Sequence, residues 1–131
     1  KAMRIIDGSD ITIVATGTLV SRAVAAAAQL KAEGISARVI NLSTVSPLDT
    51  AEILAAAKET KAIITAEESV TRGGVGGAIA EFVVQNHPVP MKLMGIDSFA
   101  PTGSATFLLE HFGLTADSIV ASARELLKHG K

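Results

Sequence analysis

The stretch Ile11-Thr-Ile-Val-Ala-Thr16, followed by Leu19 to Glu33 and then by Ala37-Arg-Val-Ile-Asn-Leu42, decides the fold. The outer two segments are short runs rich in β-branched residues, whereas the middle segment is rich in alanine and repeats its apolar residues at helical spacing. Gly34 stands where that helix should end. A strand, a helix and a second strand in this order predict a right-handed crossover unit of a parallel sheet.

The same alternation continues along the rest of the chain. Asp49 is placed to cap a helix that should run to about Thr60, and Glu52 can complete a capping box with it. The other predicted elements are strands at Ala62 to Ala66 and Pro90 to Gly95, and helices at Val75 to Asn86, Ser104 to Phe112 and Thr115 to Lys128. The sequence therefore predicts a three-layer α/β/α fold, with a mostly parallel sheet covered by helices on both faces.

A short opening strand, Met3 to Ile6, is predicted at one edge of this sheet. The residues that follow it, Asp7-Gly-Ser-Asp10, have turn chemistry and form a connection too short for a parallel crossover. We therefore expect this edge strand to be antiparallel and to form a hairpin with the strand that begins at Ile11.

Composition excludes several classes of protein. The chain has 131 residues, 48% hydrophobic and 19% charged, which is typical of one compact domain. Its net charge of -1 and its four Phe, with no Trp or Tyr, argue against nucleic-acid binding. No apolar run approaches the ~20 residues of a membrane-spanning helix. Without cysteine there is no disulfide or thiolate chemistry, and we expect a cytoplasmic location. Because the chain begins at Lys1 rather than Met, we expect residues 1–131 to be a single domain of a longer chain.

Glycines and hydroxyl groups follow the carboxyl ends of the predicted strands, where open parallel sheets bind ligands. Glycines at a helix start expose backbone N–H groups to an anion, and Arg72 could add a charge-assisted contact. The glycine spacing matches neither a phosphate loop nor a dinucleotide fingerprint, so helix packing and a domain contact remain the alternative. The candidate interface or anion-binding residues are Thr16, Gly17, Thr18, Glu67, Glu68, Arg72, Gly73, Gly74, Gly76 and Gly77.

No complete catalytic or metal-binding set is visible. Glu67 and Glu68 should point to opposite sides of an extended segment, so they cannot share one proton as a paired acid would. They are either a solvated strand end, or one of them is hydrogen-bonded to a partner at an interface. Each of His87, His111 and His129 stands near a predicted helix end, where a capping or surface role is expected. We expect no catalytic, cofactor-binding or metal-ligating residue in this chain.

Two motifs resemble the C-terminal domain of transketolase-type thiamine diphosphate enzymes. They are Gly8-Ser-Asp-Ile-Thr-Ile-Val-Ala-Thr-Gly17, and Ala66-Glu-Glu-Ser together with Gly73-Gly-Val-Gly-Gly-Ala-Ile-Ala80. That superfamily includes deoxyxylulose phosphate synthase and the β subunits of 2-oxo acid dehydrogenase E1 components. The segments His87 to Asp97 and Leu108 to Val120 are most similar to transketolases, especially to the C-terminal section or subunit of split bacterial forms. The resemblance covers nearly the whole chain.

The resemblance implies a five-stranded mixed sheet whose antiparallel first strand lies beside the third. It also implies a parent transketolase that transfers a two-carbon ketol unit between sugar phosphates. The resemblance implies that thiamine diphosphate and Mg bind to other modules, which are absent from this chain. We therefore expect this domain to hold no cofactor. The domain would support the fold and a homodimer of the parent by contacting its other modules or subunit. We expect the domain to be inactive alone.

Three alternatives remain open. The chain could be the C-terminal domain of an E1 β subunit or of a deoxyxylulose phosphate synthase. It could be a stand-alone phosphate- or nucleotide-binding module that uses the Thr16 to Thr18 turn and the Gly73 to Gly77 loop. It could also be an interaction domain with an exposed apolar face, either around Ile79, Phe82 and Val83 or along the last helices.

Overall fold

The computed structural model describes residues 2–43, 48–70, 74–96 and 114–129. Five strands form one sheet, and four helices lie in the described ranges. The strands are β1 (Ala2–Ile6), β2 (Ile11–Ala15), β3 (Ala37–Leu42), β4 (Ile63–Val70) and β5 (Met91–Ile96). The helices are α1 (Leu19–Ala32), α2 (Thr50–Glu59), α3 (Val75–Asn86) and α4 (Ala116–His129). The helix predicted over Ser104 to Phe112 lies outside the described residues.

The sheet has the strand order β1-β3-β2-β4-β5. β2 pairs in parallel with both β3 and β4, and β5 pairs in parallel with β4, whereas β1 is antiparallel to β3. All five residues of the central strand β2 are buried, which explains why this strand is apolar without alternation. The predicted mixed sheet with one antiparallel edge strand is confirmed.

The partner of β1 differs from the hairpin that local turn chemistry predicts. β1 pairs with β3 instead, with Ala2 opposite Leu42, so the hairpin prediction is wrong and the strand order implied by the resemblance is correct. The cause lies at Gly8, where a Cβ atom would stand 2.4 Å from the carbonyl carbon of Ala37. Because Gly8 has no side chain, the segment that joins β1 to β2 can pass closely over the start of β3. β1 therefore lies at the outer edge of β3 and not beside β2.

Each face of the sheet carries its own apolar core. α1 and α4 cover one face, where Leu30 and Ile119 pack with strand residues such as Ile13. α2 and α3 cover the other face, where Ile53 and Ile79 pack with the opposite side of the strands. This arrangement is the predicted three-layer α/β/α fold.

The expected helix starts are largely observed. The Asp49 carboxylate accepts a hydrogen bond from the Glu52 backbone N–H at 3.3 Å and so caps α2. The Glu52 side chain was expected to complete a capping box, but its carboxylate accepts from Arg4 Nε at 2.7 Å. This contact ties β1 to α2. At α4, the Thr115 hydroxyl accepts from the Ser118 backbone N–H at 3.1 Å, as predicted.

The apolar face expected on α3 belongs to the core. Ile79 is fully buried and Val83 is 2% exposed, so the prediction of an exposed surface around them is wrong. Both residues lie on the side of α3 that packs on the sheet, with partly buried Phe82 beside them. Val84, one position further along the helix, points outward and is 65% exposed. Across the described ranges, no helix is long and apolar enough to cross a membrane.

Candidate functional site at the carboxyl edge of the sheet

The turn after β2 leads directly into α1. Thr16 N–H donates to the Ala66 carbonyl oxygen at 3.2 Å, which fixes the start of the turn against β4. Gly17 has a φ of 56°, a left-handed conformation that glycine adopts without a steric penalty. Thr18 precedes α1 and makes no side-chain cap hydrogen bond with it. The turn therefore holds its shape through backbone contacts and leaves Gly17 and Thr18 exposed.

Glu67 lies on β4 and its side chain is fully buried. Its Oε1 accepts a hydrogen bond from the Val75 backbone N–H at 2.9 Å, and its Oε2 accepts from the Gly76 N–H at 2.6 Å. These N–H groups belong to the first turn of α3, where the helix dipole favours negative charge. The carboxylate thus caps a helix that begins eight residues later. The prediction that Glu67 lies in solvent at the end of a strand is therefore wrong.

Gly76 allows α3 to approach β4 and β5 closely. A Cβ atom at this position would lie 2.6 Å from Thr65 Oγ1 and 3.1 Å from Leu93 Cδ2. Thr65 Oγ1 is itself buried without a hydrogen-bond partner among the described residues. The glycine is thus required by packing, because any side chain would push the first turn of α3 away from Glu67.

A cleft of about 510 Å³ opens beside these elements at the carboxyl edge. It joins the turn after β2, the end of β3 and the first residue of α3. The lining residues are Thr16, Gly17, Val20, Asn41, Leu42, Ser43 and Val75. Hydroxyl, amide and small apolar groups make up this set, and the described lining has no charged side chain. The location agrees with the general rule for ligand clefts in open α/β sheets.

The structure separates the predicted site residues into four groups. Thr16, Gly17 and Thr18 lie at the cleft or beside it, whereas Glu67 and Gly76 are inside the protein and in contact with each other. Gly74 is extended immediately before α3, and Gly77 lies within that helix. Arg72 and Gly73 lie outside the described residues, and so does the Glu68 side chain, although β4 runs through Glu68.

The glycine-rich start of α3 therefore binds a carboxylate of the same chain, that of Glu67, as its anion. The free N–H groups and the acidic pair are both visible in the sequence, but only as separate features. The sequence signal that could have linked these two features is an acidic residue near the end of a strand, followed by glycines at the start of the next helix. In the described residues, no group of three His, Cys, Asp or Glu side chains could hold a metal ion. His87 occupies the C-cap of α3, the helix end at which the sequence placed it.

A charged cluster stands at the opposite, amino edge of the sheet. The Arg38 side chain is only 4% exposed, and its Nη2 lies 2.7 Å from Glu59 Oε1 while its Nε lies 3.2 Å from Asp7 Oδ1. The Gly8 backbone N–H, and then the Arg38 and Arg4 guanidinium groups, hold the pKa of Asp7 below its ordinary value. This cluster compensates a buried cation and links β1, β3 and α2.

Comparison with known proteins places these features in a family. A split-gene transketolase, described as an inactive β4 tetramer, matches the whole chain at a TM-score of 0.94 with 35% identity. A 6-deoxy-6-sulfo-D-fructose transketolase subunit from a Clostridium species is 43% identical over 127 residues. A 1-deoxy-D-xylulose-5-phosphate synthase from Heliobacterium modesticaldum is 45% identical over 121 residues.

The fold and the carboxyl-edge cleft define a mainly parallel α/β domain covered by helices on both faces. The family model for the C-terminal domain of transketolase matches residues 1–119, and the chain belongs to that family. The matched proteins are much longer than the match. The match to the Clostridium subunit includes 96% of this chain but only 39% of that subunit. The match to the synthase includes 91% of this chain but only 19% of the synthase. It spans 43% of the split-gene transketolase.

Proposed function

We propose that residues 1–131 are the C-terminal domain of a longer transketolase polypeptide. The parent enzyme transfers a two-carbon ketol unit from a ketose phosphate to an aldose phosphate, with thiamine diphosphate as the carrier of the unit. The observation that carries this proposal is the match of the whole chain, at a TM-score of 0.94, to less than half of a split-gene transketolase. The identity with the Clostridium transketolase subunit supports it further.

In this proposal the domain is a rigid support and does not react. Thiamine diphosphate needs a Mg ion with oxygen ligands, and the described residues offer no group of three side chains for a metal. The helix start that could have held a diphosphate gives its Val75 and Gly76 N–H groups to Glu67. The described residues do not fit the cofactor, so we assign cofactor and Mg binding to other modules and expect the isolated domain to be inactive.

The assembly and location of the parent follow from the same assignment. We propose a homodimer of the parent in which this domain contacts other modules or a companion subunit. We also propose sugar phosphates as its substrates, because that is the substrate class of the reaction assigned here. We place the enzyme in the cytoplasm, since a chain without cysteine gains nothing from an oxidising compartment.

The test uses the longer polypeptide together with any companion subunit. We expect ketol transfer from a ketose phosphate to an aldose phosphate that depends on added thiamine diphosphate and Mg. The 131-residue chain supplied alone should give no product. A parent that binds no thiamine diphosphate, or binds it and transfers no ketol unit, would refute the proposal.

A second candidate within the same superfamily is deoxyxylulose phosphate synthase. It is favoured by the 45% identity to the Heliobacterium modesticaldum enzyme over 121 residues. The two activities differ in the donor, because the synthase consumes pyruvate and releases carbon dioxide. Incubation of the parent with pyruvate and an aldose phosphate separates them. Pyruvate consumption would count against the transketolase assignment, and a deoxyketose phosphate product would assign the synthase.

A further inference from the structure

Three donor groups meet at one oxygen atom at the amino edge of the sheet. Oδ1 of Asp7 accepts a hydrogen bond from the Gly8 backbone N–H at 2.8 Å. The same atom lies 3.2 Å from Arg4 Nη1 and 3.2 Å from Arg38 Nε. A backbone N–H together with guanidinium groups is a donor set that proteins use to bind phosphate and carboxylate groups. The Gly8 N–H, and after it the two guanidinium groups, hold the pKa of Asp7 below its ordinary value. The surroundings of Oδ1 therefore favour a negatively charged oxygen.

The guanidinium donors are fixed in place, whereas the carboxylate is exposed. The Arg38 side chain is only 4% exposed, and its Nη2 lies 2.7 Å from Glu59 Oε1. Arg4 is held by two hydrogen bonds to the Glu52 carboxylate, at 2.7 and 3.2 Å. The Asp7 side chain is 73% exposed. Because an exposed ion pair is weak in water, Asp7 can turn into solvent while the donors stay in position.

Arg38 has more donors than its neighbours satisfy. Its Nε lies close to Asp7 but is not aligned for a hydrogen bond, and its Nη1 has no hydrogen-bond partner within the described ranges. Both atoms are buried, and buried donors are paired in nearly all protein structures. Asp7 presents a single oxygen to this cluster, whereas a phosphate group presents several strong acceptors. The unmet donors therefore favour a ligand with more oxygen atoms than a carboxylate.

A cavity of about 340 Å³ adjoins these donors and leaves room for such a ligand. Ser9 and Ser36 bring hydroxyl groups to it, which can donate to an oxyanion. Glu52 and Glu59 offset the charges of the two arginines, so the site is close to neutral once Asp7 has left. This balance favours a single phosphate group over a polyphosphate and keeps the affinity low. The lining residues are Asp7, Gly8, Ser9, Ser36, Arg38 and Glu59.

We propose that Asp7 is the exchangeable occupant of a phosphate-binding site, and that a phosphate group takes its place on Arg4, Arg38 and the Gly8 N–H. The ligand is inorganic phosphate or a small phosphate monoester, which share this chemistry. The inference does not depend on the proposed function, because it uses only contacts within this domain. An internal competitor lowers the apparent affinity in proportion to the fraction of molecules in which the site is open. An exposed ion pair changes that fraction by up to roughly fivefold, so removal of the Asp7 carboxylate should strengthen phosphate binding by roughly fivefold.

The test follows the Gly8 amide by NMR in the longer polypeptide, deuterated and labelled with ¹⁵N at glycine. This signal reports the site directly, so phosphate that binds elsewhere in the polypeptide does not interfere. At constant ionic strength, we expect inorganic phosphate to shift the Gly8 signal with a dissociation constant in the millimolar range. Asp7→Ala should bind roughly fivefold more tightly than the wild type. Glycerol 3-phosphate separates the two sources: tighter binding than inorganic phosphate assigns an esterified ligand, and equal or weaker binding assigns free phosphate.

Two further variants make the test specific. Glu33→Ala is the matched control, because Glu33 is likewise an exposed carboxylate paired with an arginine, Arg124, and lies outside the cavity lining. Its removal also frees a guanidinium, yet the titration of the Gly8 signal should match that of the wild type. In the Asp7→Ala background, Arg4→Gln removes one donor and should weaken phosphate binding roughly tenfold.

The proposal is overturned by any of four results. The Gly8 signal of Asp7→Ala does not respond to phosphate, or Asp7→Ala binds no more tightly than the wild type. Acetate shifts the signal of Asp7→Ala as effectively as phosphate, which would mean that the site does not select for a phosphate group. Arg4→Gln leaves the affinity unchanged, or the shifts do not saturate, and the phosphate is then an adventitious ion only.

Discussion

The carboxylate of Glu67 lies against the backbone of Gly76, with Oε2 2.6 Å from the amide nitrogen. The same carboxylate also accepts from the Val75 N–H, so β4 supplies the negative charge that the first turn of α3 attracts. The glycine that receives this bond is also the one that brings the helix close enough to form it. Glu67 and Gly76 therefore act as one structural unit.

Glu67→Gln should destabilise the domain by roughly 2 kcal/mol, because a charge-assisted pair of hydrogen bonds is replaced by a neutral group that presents an NH₂ to a backbone donor. Urea unfolding followed by circular dichroism measures the change in free energy. Glu81→Gln, on the exposed side of the same helix, is the matched control and should change stability by less than about 0.5 kcal/mol. Equal effects of the two substitutions would contradict the capping role of Glu67.

Gly76→Ala should destabilise the domain by roughly 1–3 kcal/mol, because the new methyl group would meet Thr65 Oγ1 at 2.6 Å. Thr65→Ala removes that oxygen, which has no hydrogen-bond partner among the described residues. The double variant should therefore recover part of the loss. Urea unfolding of the four proteins forms a double-mutant cycle. Strict additivity would show that the two residues do not contact each other as described.

Asp49→Ala should cost about 1 kcal/mol of stability, since α2 loses the side-chain oxygen that accepts from the Glu52 N–H. Asp49→Asn keeps an oxygen at this position and should cost less than the alanine variant. Thermal unfolding of both variants beside the wild type measures the difference. An asparagine variant as unstable as the alanine variant would indicate that the carboxylate charge, and not the cap, is the main contribution.

The domain should lose stability in acid partly through Asp7. Its folded-state pKa is lowered by the Gly8 N–H and by the Arg38 and Arg4 guanidinium groups. The ionised carboxylate therefore adds stability above its unfolded pKa of about 4, and this contribution is lost as the pH falls through the lower folded value. Urea midpoints measured at a series of acidic pH values should fall less steeply for Asp7→Asn than for the wild type. Identical slopes would contradict this assignment.

Most of the fold could be predicted because its signals are local. Periodicity places α1 within one residue of its observed end, and the Asp49 and Thr115 caps depend on neighbours three residues away. The partner of β1 could not be found in this way. Asp7 to Asp10 has the chemistry of a tight turn, but the path of the chain is decided by the contact of Gly8 with the backbone of Ala37, far along the sequence.

The candidate site shows the same limit. Sequence patterns indicate that the N–H groups at the start of α3 attract an anion, and the acidic pair on β4 is equally visible. Nothing local says that the first glutamate of the pair turns inward to meet Val75 and Gly76. The outward turn of Val84 and the burial of Val83 depend on the rotation of α3 about its axis, which short apolar runs define poorly.

The attachment of β1 has a mechanical consequence. The chain leaves β1 over Gly8 and enters β2, so β1 is held in the sheet by one antiparallel ladder, with β3. Arg4 also contacts Glu52, and the Ala2 N–H donates to Asp49 Oδ2 at 3.3 Å. A pulling force applied at Ala2 is resisted by these contacts and by that ladder before it reaches the central strands. The opening strand can therefore peel away under load while the four parallel strands stay together. The domain would yield first at β1, and its two cores would unfold later.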